Sequence, residues 1–295
     1  MDRSGVELGA LRAFKAVAEH GSVSGAARAL SYVQSNVTAR IRRLEAILGV
    51  PLFHRQSRGM ALTQSGEVLL TYATRVLGLV DEACGAIGKS AGEDAPLRIG
   101  ALESTAAVRL PPILAALHAA RPQLQILVTT GPTDPLLQGV LAFRLDGAFV
   151  AAKVDHPDIH CTPAFDEELV VARARDAAAG RPNDPRPLVV FRQGCPYRAQ
   201  AERWLRAKGA IPYRLMEFGT LDGILGCVSA GMGITMLPRS VIDRPHYREI
   251  LSFEPLPRNI GRVRTMFVCR RGGERLPGIR RLLAAIAEKK SRRRD

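Results

Sequence analysis

Between positions 34 and 43 the chain carries Gln34, Ser35, Asn36, Thr38, Arg42 and Arg43, which puts two amides, two hydroxyls and two guanidiniums on about three helical turns. These are the groups that read nucleic-acid bases: amides pair with adenine, arginine with guanine, and hydroxyls with bases or phosphate. Interleaved with them, Val37, Ile41, Leu44 and Leu48 fall at i, i+4, i+7 and i+11 and form one apolar stripe that must face a core. A merely solvated helix shows the same division of faces. Its neighbours therefore decide what the polar face is for.

Those neighbours are ordered. Leu8, Leu11, Phe14 and Ala18 predict a first helix that closes at His20-Gly21. Ser22 or Ser24 can cap a short second helix containing Ala26, Ala27 and Leu30. Ser31-Tyr32-Val33 breaks the pattern before a longer helix over 34–48, ended by Gly49 and Pro51. Short helix, tight turn and longer helix with a basic outer face is the helix-turn-helix layout. The basic segment 54–62 reads as a small β wing turning at Gly59, with Arg55 and Arg58 reaching for phosphate or the minor groove. Thr63 then caps a long helix. Its seam of Val68, Tyr72, Val76, Leu79 or Val80, Ala83 and Ile87 has no sequence neighbour to cover it, so it predicts a dimerisation helix.

After the small, polar, proline-terminated stretch 90–96 the pattern changes. Strands are expected at 97–102, 124–130 and 147–151, with helices at 104–119 and 135–143, the βαβ rhythm of a parallel sheet. A second set follows, with strands at 168–173, 188–191, 214–218 and 234–237 and helices at 197–208 and 221–230. A strand at 264–269 and a helix at 277–288 close the chain. The expected class is thus α plus α/β. Residues 6–63 form a winged helix-turn-helix, 64–90 the linker helix, 91–96 a hinge and 97–290 a two-lobed domain (lobe I about 97–163 and 264–290, lobe II about 164–263). Ligands of such sheets bind beyond the carboxyl ends of the strands. Ser104, Thr105, Thr130, Gly131, Gln193, Gly194, Cys195, Gly219 and Thr220 stand at those handovers, where hydroxyls and unpaired helix N–H groups can seat a small anion. Ordinary helix capping by Ser104 and Thr220 explains part of this pattern equally well.

The 295 residues exceed the usual single domain, and a hydrophobic fraction of 46% excludes a disordered chain. A formal charge of +14 points towards polyanions, although some of it sits in the terminal run Lys289, Lys290, Arg292, Arg293 and Arg294. The N-terminal residues show no apolar stretch with a cleavage site, so a cytoplasmic protein is expected. Five cysteines without CxxC spacing predict reduced thiols and no metal, and no cofactor is expected. Cys195 lacks a histidine base in its motif, which argues against a nucleophile and against an enzyme. A redox switch through Cys195 and Cys227 is the alternative signal. A small-anion carrier or enzyme is the alternative of another class. Gly231-Met232-Gly233 precedes an expected strand rather than following one, so it is a turn and not a dinucleotide loop.

The segments 21-GSVSGAARAL-30, 34-QSNVT-38, 41-IRRLE-45, 48-LGVPLFHR-55 and 62-LTQSGE-67 resemble the N-terminal signature of the LysR-type transcriptional regulators. The sequence departs from that signature at Val33, Ala39 and Arg40, where family contacts are not carried over. The resemblance implies a winged helix-turn-helix, a dimerising linker helix and a periplasmic-binding-protein-like effector domain, assembled as a dimer or tetramer. The partners expected are double-stranded DNA, a small-molecule effector for which the handover geometry allows an anion, further copies of the chain and a possible RNA polymerase contact, with no membrane. The loops 191–198, 216–240 and 99–112 most resemble the subgroup that contains YofA and a sulfur-oxidation regulator.

Overall fold

The computed structural model describes residues 5–56, 59–87, 96–151, 153–176, 187–209 and 214–291. The chain divides into two compact units, Met1–Gly88 and Lys89–Asp295.

In the first unit, helices α1 (Leu8–His20), α2 (Val23–Ala29) and α3 (Gln34–Leu48) precede a two-stranded wing, β1 (Phe53–Gln56) and β2 (Gly59–Leu62), and the long helix α4 (Gln64–Ile87). Gly21 and Gly49 end α1 and α3 in the left-handed conformation. The Ser22 hydroxyl accepts the Gly25 N–H at 3.1 Å and caps α2. The turn between α2 and α3 holds Ser31 at φ 54. Val37, Ile41 and Leu44 are buried against Phe14, Val17 and Phe53, while Leu48 is half-buried at the core's edge. The wing is locked to the α1–α2 turn: the Met60 N–H donates to the Gly21 carbonyl at 2.8 Å. Gly59 sits at φ 137, and a Cβ there would strike that same carbonyl oxygen.

Helix α4 has two apolar faces rather than the single seam expected. Ala73 and Leu77 are buried in the core of this unit, with Leu69 and Leu70 beside them. Val68, Tyr72, Val76 and Leu79, at 57%, 59%, 40% and 59% exposure, form the second face at i, i+4, i+8 and i+11. Ala83 is exposed, and the Ile87 side chain lies outside the described residues.

The second unit opens on β3 (Leu97–Ala101), α5 (Glu103–Val108), α6 (Pro111–Ala120), β4 (Ile126–Thr130), α7 (Thr133–Leu141) and β5 (Gly147–Ala151). The expected helix over 104–119 is two helices, because Pro111 and Pro112 remove backbone donors and disfavour the helical conformation before them. Then comes β6 (Ile159–Ala174), sixteen residues long, of which only the second part, 168–173, is legible as a strand from sequence. It is followed by β7 (Leu188–Phe191), α8 (Pro196–Ala207), β8 (Leu215–Phe218), α9 (Leu221–Ser229) and β9 (Thr235–Pro238). The short elements α10 (Arg239–Ile242), α11 (Pro245–Ile250), β10 (Leu251–Pro255) and α12 (Arg258–Gly261) lead to β11 (Arg262–Arg270) and α13 (Pro277–Ser291).

Strands β4, β3 and β5 are parallel; β11 pairs antiparallel with β5, and the first part of β6 pairs antiparallel with β11. The second part of β6 instead pairs with β9 and β10, and β7 and β8 form a parallel pair beside them, bridged at Leu188 to Ile234. One strand therefore serves two lobes. Alternate residues of β5 face opposite layers of lobe I: Phe149 packs on Phe165 and Phe267, and Ala148 and Val150 on Leu136 and Val140. The core of lobe II gathers Val189, Trp204, Ile224 and Leu237.

Between the lobes, Arg109 at the end of α5 donates from Nε and Nη2 to both carboxylate oxygens of Glu167 on β6, at 2.6 and 2.7 Å. The Ser240 hydroxyl on α10 adds a third donor at 3.0 Å. Replacing Gly59 by alanine is expected to cost the N-terminal unit about 1–3 kcal/mol of strain, seen in calorimetry as a lowered N-terminal transition with the effector-domain transition unmoved.

Candidate functional site

Two surfaces can do chemistry, one in each unit. On α3, Gln34, Ser35, Asn36, Arg42 and Arg43 are exposed and Thr38 is half-exposed. The structure separates them. Asn36 accepts the Arg40 Nε–H through Oδ1 at 2.7 Å, and Arg43 pairs with Glu7 at 3.1 Å. Arg40 also lies over the Tyr32 ring at 5.6 Å and packs on Gly9 of α1. It ties α3 to the preceding helices instead of pointing outward. Thr38 donates its hydroxyl to the Gln34 carbonyl at 2.9 Å, which leaves the hydroxyl oxygen as an acceptor. Among the described residues Gln34, Ser35 and Arg42 have no side-chain partner, so their hydrogen-bonding groups are available to a ligand. Thr38 and Arg42 also line a groove of about 560 Å3 between α3 and the wing, with Ser22, Glu45, Phe53 and Met60. Arg55 lies on β1, opposite Met60 in register. Arg58 lies outside the described residues.

In the second unit a cavity of about 230 Å3 opens between the lobes. Leu102, Phe191 and Phe218, each at or beside a strand's carboxyl end, form its apolar walls. Of the residues expected there, Ser104, Thr130, Gly131, Cys195 and Gly219 line it. Thr105, Gln193, Gly194 and Thr220 do not. Thr105 is a buried residue of α5, and Thr220 is spent as the cap of α9, accepting the Gly223 N–H at 3.2 Å. Gln193 and Gly194 are exposed on the outside of their turn. Ser104 is not a cap: α5 begins one residue earlier at Glu103, and the Ser104 hydroxyl donates across the cavity to the Tyr197 hydroxyl at 3.3 Å.

Glu103, Pro132, Arg192 and Tyr197 complete the lining and were not singled out from sequence. The loop holding Arg192 and Tyr197 was visible, but a buried tyrosine two residues into a helix carries no local signal. Arg192 lies against Gly219, with Nη2 3.7 Å from where a Cβ would stand. Burial pushes the Tyr197 phenol up in pKa, so it stays a neutral hydroxyl. Burial also pushes the Cys195 thiol up, against smaller opposing contributions from the Arg198 and Tyr197 backbone N–H groups and the Arg198 charge. All five cysteines are free thiols. Among the described residues, no three His, Cys, Asp or Glu side chains are placed to hold a metal ion.

The family profile described as "Bacterial regulatory helix-turn-helix protein, lysR family" matches residues 8–67, and "LysR substrate binding domain" matches residues 90–291. The chain belongs to the LysR family of transcriptional regulators. It is 45% identical to the HTH-type transcriptional regulator YusT of Bacillus subtilis, with 90% of each chain covered. It is 41% identical to GltR of the same organism over 88% of this chain and 89% of that one. Among solved structures, full-length CbnR in complex with its target DNA superposes with a TM-score of 0.64 at 25% identity, covering 96% of this chain and 99% of that one. A full-length OxyR variant from Pseudomonas aeruginosa shares the fold, with a TM-score of 0.75 at 24% identity over 95% and 94%.

The protein is accordingly a DNA-binding transcriptional regulator with an effector-binding domain, and LysR regulators act on DNA as oligomers. Its relatives are regulators, not enzymes. No described helix is long and apolar enough to cross a membrane.

The thiol offers a direct check on the cavity. In a chain whose exposed Cys84 is replaced by serine, alkylation of Cys195 by iodoacetamide, followed by peptide mass spectrometry, is expected to reach half its limiting rate above pH ~8.5, the ordinary thiol value. Because the folded-state pKa is raised, the stability associated with this thiol is complete below the unfolded value and is lost as pH rises through the folded one.

Proposed function

We propose that Gln34, Ser35, Thr38 and Arg42 read the major groove of promoter DNA and that the wing, through Arg55 and Arg58, holds phosphate. The observation that carries this reading is the partition of α3. Val37, Ile41 and Leu44 are fully used by the core, Asn36, Arg40 and Arg43 are engaged within the unit, and Gln34, Ser35 and Arg42 are exposed and have no side-chain partner among the described residues. Asn36 and Arg43 are secondary contacts in this reading, since each must first give up an internal bond.

The exposed face of α4, with Val68, Tyr72, Val76 and Leu79, is the dimer seam, because a continuous apolar stripe of this length is covered by a second copy in a long-helix dimer. The dimer or tetramer works in the cytoplasm, where promoter DNA and RNA polymerase are, and it catalyses no reaction. The effector is a small anion held in the interlobe cavity. That cavity is smaller than the ~300–1,000 Å3 usual for larger ligands, and its lining carries one cation, Arg192, and one carboxylate, Glu103. A monocarboxylate therefore suits it better than a dicarboxylate. Effector and DNA are linked only to the extent that effector binds one arrangement of the lobes more tightly than another.

The redox alternative has less support. Burial keeps Cys195 as the thiol, the form least reactive towards oxidants, and Cys227 packs on the core of lobe II.

In a fluorescence-anisotropy titration with DNA from beside its own gene, Arg42→Ala is expected to weaken binding by about 1–3 kcal/mol. Arg43→Ala should cost clearly less. Equal losses in both variants, or none in Arg42→Ala, would remove Arg42 from the reading edge. Separately, Tyr72→Glu combined with Leu79→Glu is expected to halve the assembly mass in light scattering while leaving the circular-dichroism melt of the effector domain in place.

A further inference from the structure

Another, larger groove of about 630 Å3 adjoins α8, and its lining carries Lys153, Arg203, Arg262 and Arg264 without a single carboxylate. It is built from both lobes and from the strands that cross between them. Lys153 follows β5 and Arg203 lies on α8, while Arg262 and Arg264 lie on β11. Four like charges repel one another, so such a cluster persists at little cost only where solvent or a counter-ion screens it.

Internal counter-ions are few. Arg264 is matched by Asp166 at 2.7 Å. Arg262 faces Glu168 in register, but that carboxylate pairs with Arg239 at 3.4 Å. Lys153, Arg203 and Arg262 have no ion pair among the described residues. Beneath them the floor is apolar, formed by Ala151, Pro163, Pro196, Ala199 and Met266. On α8, Pro196, Ala199, Gln200 and Arg203 stand at i, i+3, i+4 and i+7, a complete helix face turned to this groove. Tyr197, Ala201, Trp204 and Leu205 form the buried face of the same helix.

We propose that this groove is a second ligand site, specific for an amphiphilic polyanion of nucleotide size. Phosphate charges meet Lys153, Arg203 and Arg262, and a flat apolar body lies on Pro163, Pro196 and Met266. The groove's volume falls within the ~300–1,000 Å3 of ordinary ligand sites. Guanidinium forks match phosphate oxygens two at a time, which a lysine-only patch cannot do. The site also has a route to the first cavity. Cys195 and Tyr197 line that cavity, and Pro196 between them lines this groove, so one helix start is shared by both ligands.

The test uses the full-length protein and isothermal titration calorimetry with three probes: ATP, tripolyphosphate and adenosine. ATP is expected to bind, tripolyphosphate to bind about tenfold more weakly, and adenosine not to bind. Arg203→Gln combined with Arg262→Gln is expected to weaken ATP about tenfold or more, with an unchanged melting curve showing that these two exposed side chains are not needed for folding. Arg42→Ala and Arg192→Ala should leave ATP affinity as it is. Loss in Arg42→Ala instead would assign the binding to the DNA-reading face, and loss in Arg192→Ala to the first cavity; either result overturns the proposal. So does an absence of ATP binding, and so does tripolyphosphate binding as tightly as ATP, since the apolar floor would then contribute nothing.

Discussion

The angle between the two lobes rests on a buried ion pair. Arg109 and Glu167 are 9% and 4% exposed at their side chains, and they meet through two short parallel hydrogen bonds. Taking both charges out of water is costly, and only near-complete satisfaction of their donors and acceptors makes it tolerable. Here Glu167 accepts two hydrogen bonds from Arg109 and one from Ser240, while the Arg109 guanidinium lies 5.7 Å from the centre of the Phe165 ring. The four residues come from α5, β6 and α10, so the pair fixes lobe I, the crossing strand and lobe II to one another. Removing one partner would strand a buried charge at a cost of about 3–5 kcal/mol. A much softer contact lies nearby, the single 3.3 Å bond between the Ser104 and Tyr197 hydroxyls across the cavity.

A similar division between fixed and available groups shapes the DNA-facing helix. Nothing in the residue types of α3 separates Arg40, Arg42 and Arg43, yet they do different work. Arg40 is held by Asn36, Tyr32 and Gly9, and Arg43 by Glu7. Arg42, exposed between them in sequence, has no side-chain partner among the described residues. The wing is held to α1 through Gly21, and its approach strand to α3 through the Leu52 N–H, which donates to Glu45 at 2.8 Å. The exposed edge of α3 is thus presented on a rigid frame, which limits the entropy lost in binding a ligand there. The overall charge of +14 acts on top of this through long-range attraction, which is not sequence-specific and weakens with salt.

How much of this could be read from the sequence depends on range. Helices α1 to α3, their glycine ends, the Ser22 and Thr63 caps and the wing were legible because each depends on residues within one or two turns of each other. The split between α5 and α6 was written in Pro111-Pro112 and overridden by the apolar spacing on either side. Strand β6 was legible only in its second part, since its two halves belong to different sheets and no single alternation runs through it. The elements between 239 and 261 are too short to show a period. The Arg109–Glu167 pair spans 58 positions, and Tyr197 meets Ser104 across 93. Pairings at that separation leave no pattern in one sequence. For the same reason Thr220 read as well as a ligand group as it did as a cap, and only the bond to Gly223 assigns it.

The placement of the ligand cavity follows from the scaffold more than from its side chains. Strands β3, β7 and β8 each end at the same crevice and hand over to a helix there, so backbone N–H groups and chain reversals collect at one place whatever the residues are. Identity enters through what fills the walls. Leu102, Phe191 and Phe218 form their apolar part, and with Ser104 and Tyr197 bonded to each other, the charged groups in the lining are Arg192 and Glu103. Arg192 is on the turn after β7 and Glu103 is the first residue of α5, so neither takes part in a strand pairing. A scaffold of this kind can keep its crossing strands and its buried ion pair while the few polar residues of the cavity wall change.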